Sequence, residues 1–398
     1  MKTITGGLSQ SRLARMHDVL ANHIRLGTLP GLVTLVSRHG EMHVDAIGTK
    51  AVGGNDPMQR DTIFRIASMT KPVTAVAAMI LVEECKLRLD EPVDAWLPEL
   101  ADRTVLTRLD GPLDETVAAN RPLTPRDLLT LRMGFGHILE DASAYPIQKA
   151  IDALDLSTDT NPARHVGPDE WIRHLGTLPL MHQPGEGWMY DTSLDVLGVL
   201  IGRVTGQPLD VFFRERIFAP LGMKDTGFSV PRDKLHRLPA CYETDQHSAL
   251  TLFDDPHDSR WSQPPAFPQA TGGLVSTVDD YLRFGQMLLN KGKLDDERIL
   301  SRPSVELMMT NHLTPDQQAA GSLLLDQRGW GFGGAVTTHR DQIFATPGRY
   351  GWDGGHGTSF AVDPSEDMVA ILMTQVGFPQ AMNVYLDFWT SFYQAIDD

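Results

Sequence analysis

The sequence is poor in cysteine, which limits how the fold can be held together. Only two cysteines, Cys85 and Cys241, occur among 398 residues, and they form no C-x-x-C motif. This usage excludes a disulfide framework. We expect both thiols to be buried as small hydrophobic side chains, which fits the reducing conditions of the cytoplasm.

Long hydrophobic runs are missing as well. The most apolar stretch, around Val73 to Val82, is followed by Glu83 and Glu84 and is too short to cross a bilayer. Residues 1–20 contain no apolar run after their lysine, unlike a secretory signal peptide. We therefore expect a soluble cytoplasmic protein with no membrane partner.

Basic residues are outnumbered, with 35 Lys and Arg against 51 Asp and Glu and a net charge of -16. Because nucleic-acid binding needs a basic surface, this balance argues against such a partner. The 14 histidines show none of the paired spacings that bind zinc. The acidic run Asp254, Asp255 and Asp258 is interpreted as a solvated loop rather than a calcium site. We expect no metal and no cofactor.

The apolar pattern predicts a sheet assembled from both ends of the chain. A helix over residues 9–26 precedes a hairpin that turns at His39-Gly40, and the last third alternates like strands before a terminal helix. The later strands are predicted over residues 330–336, 355–362 and 368–375, and the terminal helix over residues 386–396. The fold class is therefore α/β (α+β), an antiparallel sheet flanked by helices plus an inserted, mostly helical domain.

We place the sheet domain at residues 1–66 and 271–398 and the mostly helical domain at residues 67–270, with the active site at their interface. Within the helical domain, residues 140–168 are rich in Asp, Ser, Thr and Pro. They are interpreted as a long irregular segment and a candidate lid.

The tetrapeptide Ser68-Met69-Thr70-Lys71 stands at the start of a predicted helix. Positions i and i+3 share a helix face, so the hydroxyl of Ser68 and the amine of Lys71 can meet. A serine becomes a strong nucleophile when a base takes its proton, and a lysine of lowered pKa can be that base. The alternative is a capping serine with a surface lysine. The apolar helix beyond Lys71 favours the chemical interpretation.

Two further motifs are candidates for the same site. Tyr190 follows a loop rich in proline and glycine and precedes a predicted helix. A tyrosine at such a position can present its phenol to a site, where the phenol can relay a proton. The alternative is an ordinary tyrosine with its ring in the core. The glycine-rich run from Gly351 to Thr358 suggests that another group approaches the backbone closely, and a backbone N–H there could form half of an oxyanion hole. A simple hairpin turn is its alternative. His356 is a candidate for contact with substrate.

Together these motifs resemble the serine beta-lactamase and penicillin-binding protein superfamily, whose S-x-x-K, tyrosine and K-T-G motifs meet in one cleft. Within it the chain looks most like the class C branch and the family VIII carboxylesterases, from about residue 10 to residue 395. The resemblance implies a beta-lactamase-like fold. It also implies that Ser68 is the acylated nucleophile, Lys71 its base and Tyr190 the second proton-transfer group, and that Gly355 shares the oxyanion hole with Ser68 N–H.

The sequence departs from the lactamase pattern in ways that favour a neutral ester. Thr192 stands where class C lactamases have asparagine, and Trp352 stands where the K-T-G lysine would be. A neutral indole removes the cation that suits a substrate carboxylate, and Asp353 would repel such a group. Arg349 could restore a positive charge nearby. The sequence therefore predicts a serine carboxylesterase acting on a small-molecule ester, and it leaves the oligomeric state open.

Several alternatives stay open at this point. The same fold supports a beta-lactamase, a D-amino-acid peptidase or amidase, and an acyltransferase, while a non-enzymatic binding or scaffold protein is an alternative of another class. Ser359 lies in a sequence resembling the lipase G-x-S-x-G motif, but without its structural context, and is interpreted as structural. His137 stands where the superfamily often lines its pocket, but it is interpreted as an ordinary loop histidine.

Overall fold

The computed structural model describes residues 4–139, 142–156, 166–245, 249–378 and 380–398. Helix α1 (Gln10–Arg25) is amphipathic and buries Leu13, Met16 and Leu20. It leads into strands β1 (Gly31–Arg38) and β2 (Glu41–Gly48), which pair antiparallel. The predicted first helix and hairpin are therefore confirmed.

The helical region begins with a 3-10 turn, Ala67–Met69, which continues into helix α2 (Thr70–Glu83). Helix α3 (Thr192–Thr205) ends at Gly206, which adopts the left-handed conformation that glycine tolerates at a helix end. The other helical segments are Pro98–Leu100, Pro125–Leu129, Ala142–Ala144, Pro146–Ala153, Pro168–Gly176, Leu209–Phe213, the π-helical Arg214–Phe218, Ala219–Leu221, Arg232–Arg237, Pro256–Asp258, Arg260–Ser262, Arg302–Met308, Pro315–Ala320 and Ser322–Leu325.

The last third of the chain contributes helix α4 (Val278–Leu289), five strands of the main sheet and helix α5 (Gln380–Tyr393). The strands are β3 (Gly329–Trp330), β4 (Ala335–Val336), β5 (Tyr350–Gly354), β6 (Thr358–Asp363) and β7 (Met368–Thr374). Within the described residues, seven strands form one antiparallel sheet in the order β3-β4-β5-β6-β7-β1-β2. The sheet built from both chain ends is therefore as predicted.

Several two-stranded pairs lie outside this sheet. The pair that matters for the site joins Phe64–Arg65, just before the Ala67–Met69 turn, to Val275–Ser276. The other short strands are Ile4–Thr5, Leu8–Ser9, Thr104–Leu106, Thr116–Ala118, Cys241–Thr244, Leu250–Asp254, Lys293–Leu294 and Glu297–Arg298.

The two faces of the sheet carry different layers. Helices α1 and α5 cover one face and share a hydrophobic cluster with it. Helix α4 covers the other face, where a larger cluster unites Val33 and Ile371 of the sheet with Val76 of α2 and Leu197 of α3. The helical region is therefore joined to the sheet by one continuous core, and the assignment of residues 1–66 and 271–398 against 67–270 stays a prediction.

Some predicted elements have different limits in the structure. Strand β5 was not predicted, because its two glycines read as part of a turn. Segment 140–168 contains the helix Pro146–Ala153, so it is not irregular throughout, and residues 140–141 and 157–165 lie outside the described residues. The terminal helix begins at Gln380, earlier than expected.

Two predictions about single side chains are wrong. Cys241 is buried, but Cys85 is exposed, because it lies in a turn with positive φ just after α2. Asp254 is also not solvated: it is 4 % exposed and forms an ion pair with the buried Arg65. Asp255 and Asp258 are exposed, as expected.

Helices long and apolar enough to cross a membrane alone are absent from the described part of the chain. One bent pair, Thr192–Thr205 with Leu209–Leu221, meets the length and composition limits together, at an angle of 82°.

Candidate active site

Ser68 lies in the 3-10 turn that opens α2, at the end of the helix where the backbone dipole is positive. The preceding residue, Ala67, has φ of +43°, a region that residues other than glycine rarely adopt. Tyr281 of α4 donates a hydrogen bond to Met69 O at 2.5 Å and so anchors the turn to α4. Strained backbone held by its surroundings is typical of functional sites.

The three residues predicted to act together lie together. Lys71 Nζ donates to Ser68 Oγ at 2.9 Å, and Tyr190 OH donates to the same oxygen at 2.9 Å. Lys71 Nζ also lies 4.6 Å from the centroid of the Tyr190 ring. Ser68 Oγ therefore stands between two donors, an arrangement that stabilises negative charge on it. The catalytic roles of these residues stay a prediction.

Asp191 is a site residue that the sequence reasoning missed. Its carboxylate forms an ion pair with Lys71, and both side chains are buried. Its backbone has φ of +87°, which turns the chain sharply between Tyr190 and α3. His137 was interpreted as a loop residue, but it lines the cleft, with Nε2 3.8 Å from Asp191 Oδ2. The only signal for Asp191 was its place beside Tyr190, where an aspartate before a helix reads as a cap.

Burial alone would lower the pKa of Lys71, but the carboxylate of Asp191 and then the phenol of Tyr190 outweigh it, so the pKa of Lys71 is raised. Burial raises the pKa of Tyr190, although the charge of Lys71 opposes this. At rest the site therefore holds a lysine ammonium, an aspartate and a neutral phenol.

A loop from the middle of the chain completes the lysine's surroundings. Lys71 Nζ donates to Thr271 O at 2.8 Å. The loop is held in turn by Asp195 of α3, whose Oδ1 accepts from Thr271 N at 3.1 Å and from Thr271 Oγ1 at 3.0 Å. The position of Lys71 thus depends on α3 as well as on its own helix.

Trp352 of β5 contacts the tyrosine directly. Its indole Nε1 donates to Tyr190 OH at 2.7 Å, and its side chain is almost fully buried. Its ring packs edge-on against Trp330, with 4.8 Å between centroids. Trp352 is therefore a fixed hydrogen-bond donor to the phenol and an apolar wall of the cleft.

The turn after β5 brings one of its two predicted residues to the cleft. Gly355 lines the cleft, and no hydrogen bond is found for its backbone N–H within the described ranges. Thr358 Oγ1, just after this turn, donates to Ile66 O at 3.1 Å, which ties the turn to the residues just before Ser68. His356 is not brought to the cleft. It is 2 % exposed, because it is packed between the rings of Phe253 and Trp261.

The cleft has a volume of about 530 Å³ and is largely apolar. Its apolar lining residues are Leu139, Leu323, Leu324, Trp352, Phe378 and Met382. A cation missed in the sequence also lines it: the guanidinium of Arg328 lies 5.2 Å from the Trp352 ring and 3.9 Å from Asp353 Oδ2. Arg349, the cation suggested from the sequence, does not line the cleft.

Two other predicted features can be placed. Ser359 is fully buried in β6, where its hydroxyl donates to Asp353 Oδ1 at 2.5 Å, so its position is that of a structural residue. In the described part of the chain, no three His, Cys, Asp or Glu side chains are grouped in a way that could hold a metal ion.

Comparison with known proteins gives a family for this site and fold. Residues 19–388 match the family model described as Beta-lactamase. The chain belongs to the beta-lactamase family. A protein of Mycobacterium tuberculosis strain H37Rv is 41% identical to it over 362 residues, which cover 88% of this chain and 86% of that protein.

Esterases are among the relatives of this beta-lactamase-family protein. Esterase EstB of Burkholderia gladioli is 32% identical over 391 residues, covering 92% of this chain and 91% of the esterase. The solved structure of EstCE1, a hydrolase with promiscuous acyltransferase activity, has a TM-score of 0.81 at 25% identity and covers 98% of this chain and 99% of its own. The predicted superfamily and beta-lactamase-like fold are confirmed. The chain is a hydrolase of the beta-lactamase fold and is related to esterases and acyltransferases.

Proposed function

We propose that this protein is a serine carboxylesterase, of the family VIII type, that hydrolyses short-chain carboxylic esters through an acyl-enzyme on Ser68. The observation that carries the proposal is the pair of hydrogen bonds that Ser68 Oγ accepts from Lys71 and Tyr190 at a mostly apolar cleft. The esterase named among its relatives supports the same reaction. We propose the cytoplasm as its location.

In the first step Ser68 Oγ attacks the ester carbonyl. Its proton passes to Lys71 while Lys71 passes one to Asp191, so the ammonium is regenerated and the carboxylate becomes neutral. The oxyanion that forms accepts hydrogen bonds from the backbone N–H groups of Ser68 and Gly355. A charged lysine alone cannot accept a proton. The buried pair of Lys71 and Asp191 can, because the carboxylate takes the proton that the ammonium gives up.

In the second step the carbon–oxygen bond to the alcohol breaks. Tyr190 gives its proton to the departing alkoxide, and Lys71 with Asp191 returns a proton to the phenolate. Water then attacks the acyl group on Ser68, using the same groups in reverse, and releases the acid. Trp352 keeps Tyr190 in place through its 2.7 Å hydrogen bond.

The neutral indole of Trp352 at the reacting end of the cleft favours an ester over a beta-lactam, because it offers no charge to a carboxylate beside the scissile bond. Arg328 is the observation that favours a second candidate, beta-lactam hydrolysis, since its guanidinium lies over that indole. Rates on nitrocefin, a D-alanyl amide and short p-nitrophenyl esters distinguish the two, and the proposal expects the esters to react fastest.

Substitution of the nucleophile tests the proposal. Ser68→Ala should lower turnover of p-nitrophenyl butyrate by about 10³-fold or more, because the acyl-enzyme cannot form. Ser322→Ala, which changes an exposed serine at the same cleft, is the matched control and should keep most of the activity. Unchanged turnover in Ser68→Ala would refute the assignment, and failure of a phosphonate probe to label Ser68 would favour a binding or scaffold protein.

A further inference from the structure

A second and smaller cavity lies beside the cleft. It has a volume of about 90 Å³ and shares Asp326, Arg328, Asp353 and Met382 with the cleft. Arg349 lines this cavity and not the cleft. Because four residues line both spaces, a group on a molecule bound at Ser68 can extend from one space towards the other.

Arg349 is a buried cation for which the described residues provide no counter-ion. It is 8 % exposed, and its Nε has no hydrogen-bond partner among them. Its guanidinium carbon lies 4.0 Å from the centroid of the Trp389 ring and 5.9 Å from the centroid of the Phe344 ring. A buried charge is costly unless it is paired, so a guanidinium in this setting favours an anion.

Hydrogen bonds fix both the Trp389 ring, against which Arg349 packs, and the backbone of Arg349. Trp389 Nε1 donates to Ser359 Oγ at 2.9 Å, and Ser359 Oγ donates to Asp353 Oδ1 at 2.5 Å. The backbone of Arg349 is held as well, since its carbonyl accepts from Thr337 N at 2.9 Å. The planar guanidinium is therefore presented to the cavity in one orientation, which lowers the cost of binding.

The carboxylates that line the cavity have other surroundings. Asp353 accepts from Ser359 and lies 3.9 Å from Arg328, and Asp341 lies 3.7 Å from His339. Asp326 is exposed to solvent. Within the described residues, none of the three pairs with Arg349, so the guanidinium remains open to a ligand.

We propose that this second cavity binds a carboxylate of the substrate, and that the natural substrate is an ester carrying a free carboxylate away from its scissile bond. A guanidinium holds a carboxylate through two parallel hydrogen bonds, and the cavity has room for a group of that size but not for a whole substrate. This inference rests on the proposed function. It assigns Arg349 to selectivity and leaves the reacting groups as described.

The first test measures selectivity with paired esters. One series compares p-nitrophenyl monoesters of succinic, glutaric and adipic acids with neutral p-nitrophenyl butyrate, valerate and hexanoate. A second series places the carboxylate on the alcohol side, as in 4-acetoxybenzoate against its methyl ester. In at least one series, Arg349→Met should lower the ratio of kcat/KM for the acidic ester to that for the neutral ester at least tenfold, mainly through KM.

Two variants control for folding and for general charge effects. Arg349→Lys keeps the positive charge and should recover part of the ratio, which a loss of packing alone would not allow. Arg302→Met removes an exposed arginine that lines neither cavity and should leave the ratio unchanged. Equal ratios for wild type and Arg349→Met in both series would overturn the proposal.

A binding measurement separates this inference from the proposed function. Ser68→Ala protein, which cannot turn over an ester, is titrated with glutarate and with its uncharged diamide. Saturable binding of glutarate but not of its diamide, together with loss of that binding in the Ser68→Ala, Arg349→Met double variant, supports the cavity as a carboxylate site. This holds even if ester turnover is never found. Equal binding of both molecules, or binding of glutarate that survives Arg349→Met, refutes the site even in an active esterase.

Discussion

The charge on Lys71 decides how Ser68 can lose its proton. A lysine paired with a buried aspartate is an ammonium at rest, so it accepts the serine proton only by giving one of its own to Asp191. Asp191 is therefore part of the proposed chemistry and not only a structural partner. His137 lies on the cleft side with Nε2 3.8 Å from the other carboxylate oxygen, where it can influence this exchange.

Replacing Asp191 by asparagine should both slow the reaction and shift its pH dependence. Removing the negative charge of Asp191 lowers the pKa of Lys71. The variant nevertheless needs Lys71 as a free amine, whereas the wild type needs only an ionised Asp191, and an amine ordinarily keeps its proton to a much higher pH than a carboxylate does. The acidic limb of the kcat/KM profile should therefore move to higher pH. The maximal rate should fall about 10²-fold, because the proton acceptor is lost.

The matched control is Asp195→Asn, which changes another buried aspartate of the same region. The side-chain oxygen of the asparagine can still accept the two hydrogen bonds from Thr271. It should leave the acidic limb where it is. An acidic limb that stays in place in Asp191→Asn, or moves to lower pH, would show that Asp191 is not the proton acceptor of the wild type.

The meeting of Ser68, Lys71 and Tyr190 could be predicted, because helical spacing places Ser68 and Lys71 on one face and the family resemblance supplied the tyrosine. Asp191 and Arg328 could not, because nothing in the sequence shows which way their side chains point. His356 misled for the same reason: neighbouring apolar rings distant in sequence bury its imidazole. Side-chain direction in irregular segments depends on tertiary contacts.

At the scale of elements, the close packing of α3 against the loop before Thr271 helps to set the site. A Cβ added at Gly198 would lie 2.7 Å from Ala270 Cβ. The carbonyl of Ala270 accepts from Thr74 of α2 at 2.7 Å, and the next carbonyl, of Thr271, accepts from Lys71. The absence of a side chain at Gly198 therefore lets α3, the loop and α2 meet.

Two glycines of α3 provide a matched pair of substitutions. Gly198→Ala should lower the free energy of unfolding by about 1–3 kcal/mol through overpacking, and should reduce kcat by displacing Thr271. Gly202→Ala, where the added Cβ has no neighbour closer than 3.5 Å, should raise the free energy of unfolding by about 0.5–1 kcal/mol. Urea unfolding monitored by circular dichroism measures the free energy of unfolding of both variants, and turnover of p-nitrophenyl butyrate measures kcat. Equal effects of the two substitutions would contradict this account of the packing.

Elements with strong periodicity were predictable, such as α1, the first hairpin and β7. Strand β5 was not, because Gly351 and Gly354 resemble turn residues until a neighbouring strand pairs with them. The π-helical segment Arg214–Phe218 likewise has no sequence signature, since it continues directly from the helix Leu209–Phe213. Pairing and packing between distant segments, rather than local preference, determine such elements.

At the scale of the molecule, the sheet and the helical region share one hydrophobic core, so they should unfold together. A buried ion pair reinforces this connection: Arg65, just before the Ser68 turn, pairs with Asp254 in a distant loop. Arg65 also donates to Pro239 O at 2.8 Å. The segment that positions the nucleophile is thus tied to residues almost two hundred positions further along the chain.

Asp254→Ala should lower the free energy of unfolding by about 3–5 kcal/mol, because it leaves a buried guanidinium unpaired. The nearby Asp258 is exposed, so Asp258→Ala should change the free energy of unfolding by less than about 0.5 kcal/mol. Scanning calorimetry should show a single transition in both proteins, shifted in Asp254→Ala. Two resolved transitions would mean that the two regions are independent.

The most direct test of the central claim is to locate the acyl group. The protein is mixed briefly with p-nitrophenyl butyrate, quenched with acid and analysed by intact mass and peptide mapping, with Ser68→Ala treated in parallel. The account predicts one added butyryl group on the peptide that contains Ser68, and none on that peptide in Ser68→Ala. A butyryl group on another residue that forms and decays at the rate of turnover, with Ser68 unmodified, would contradict it.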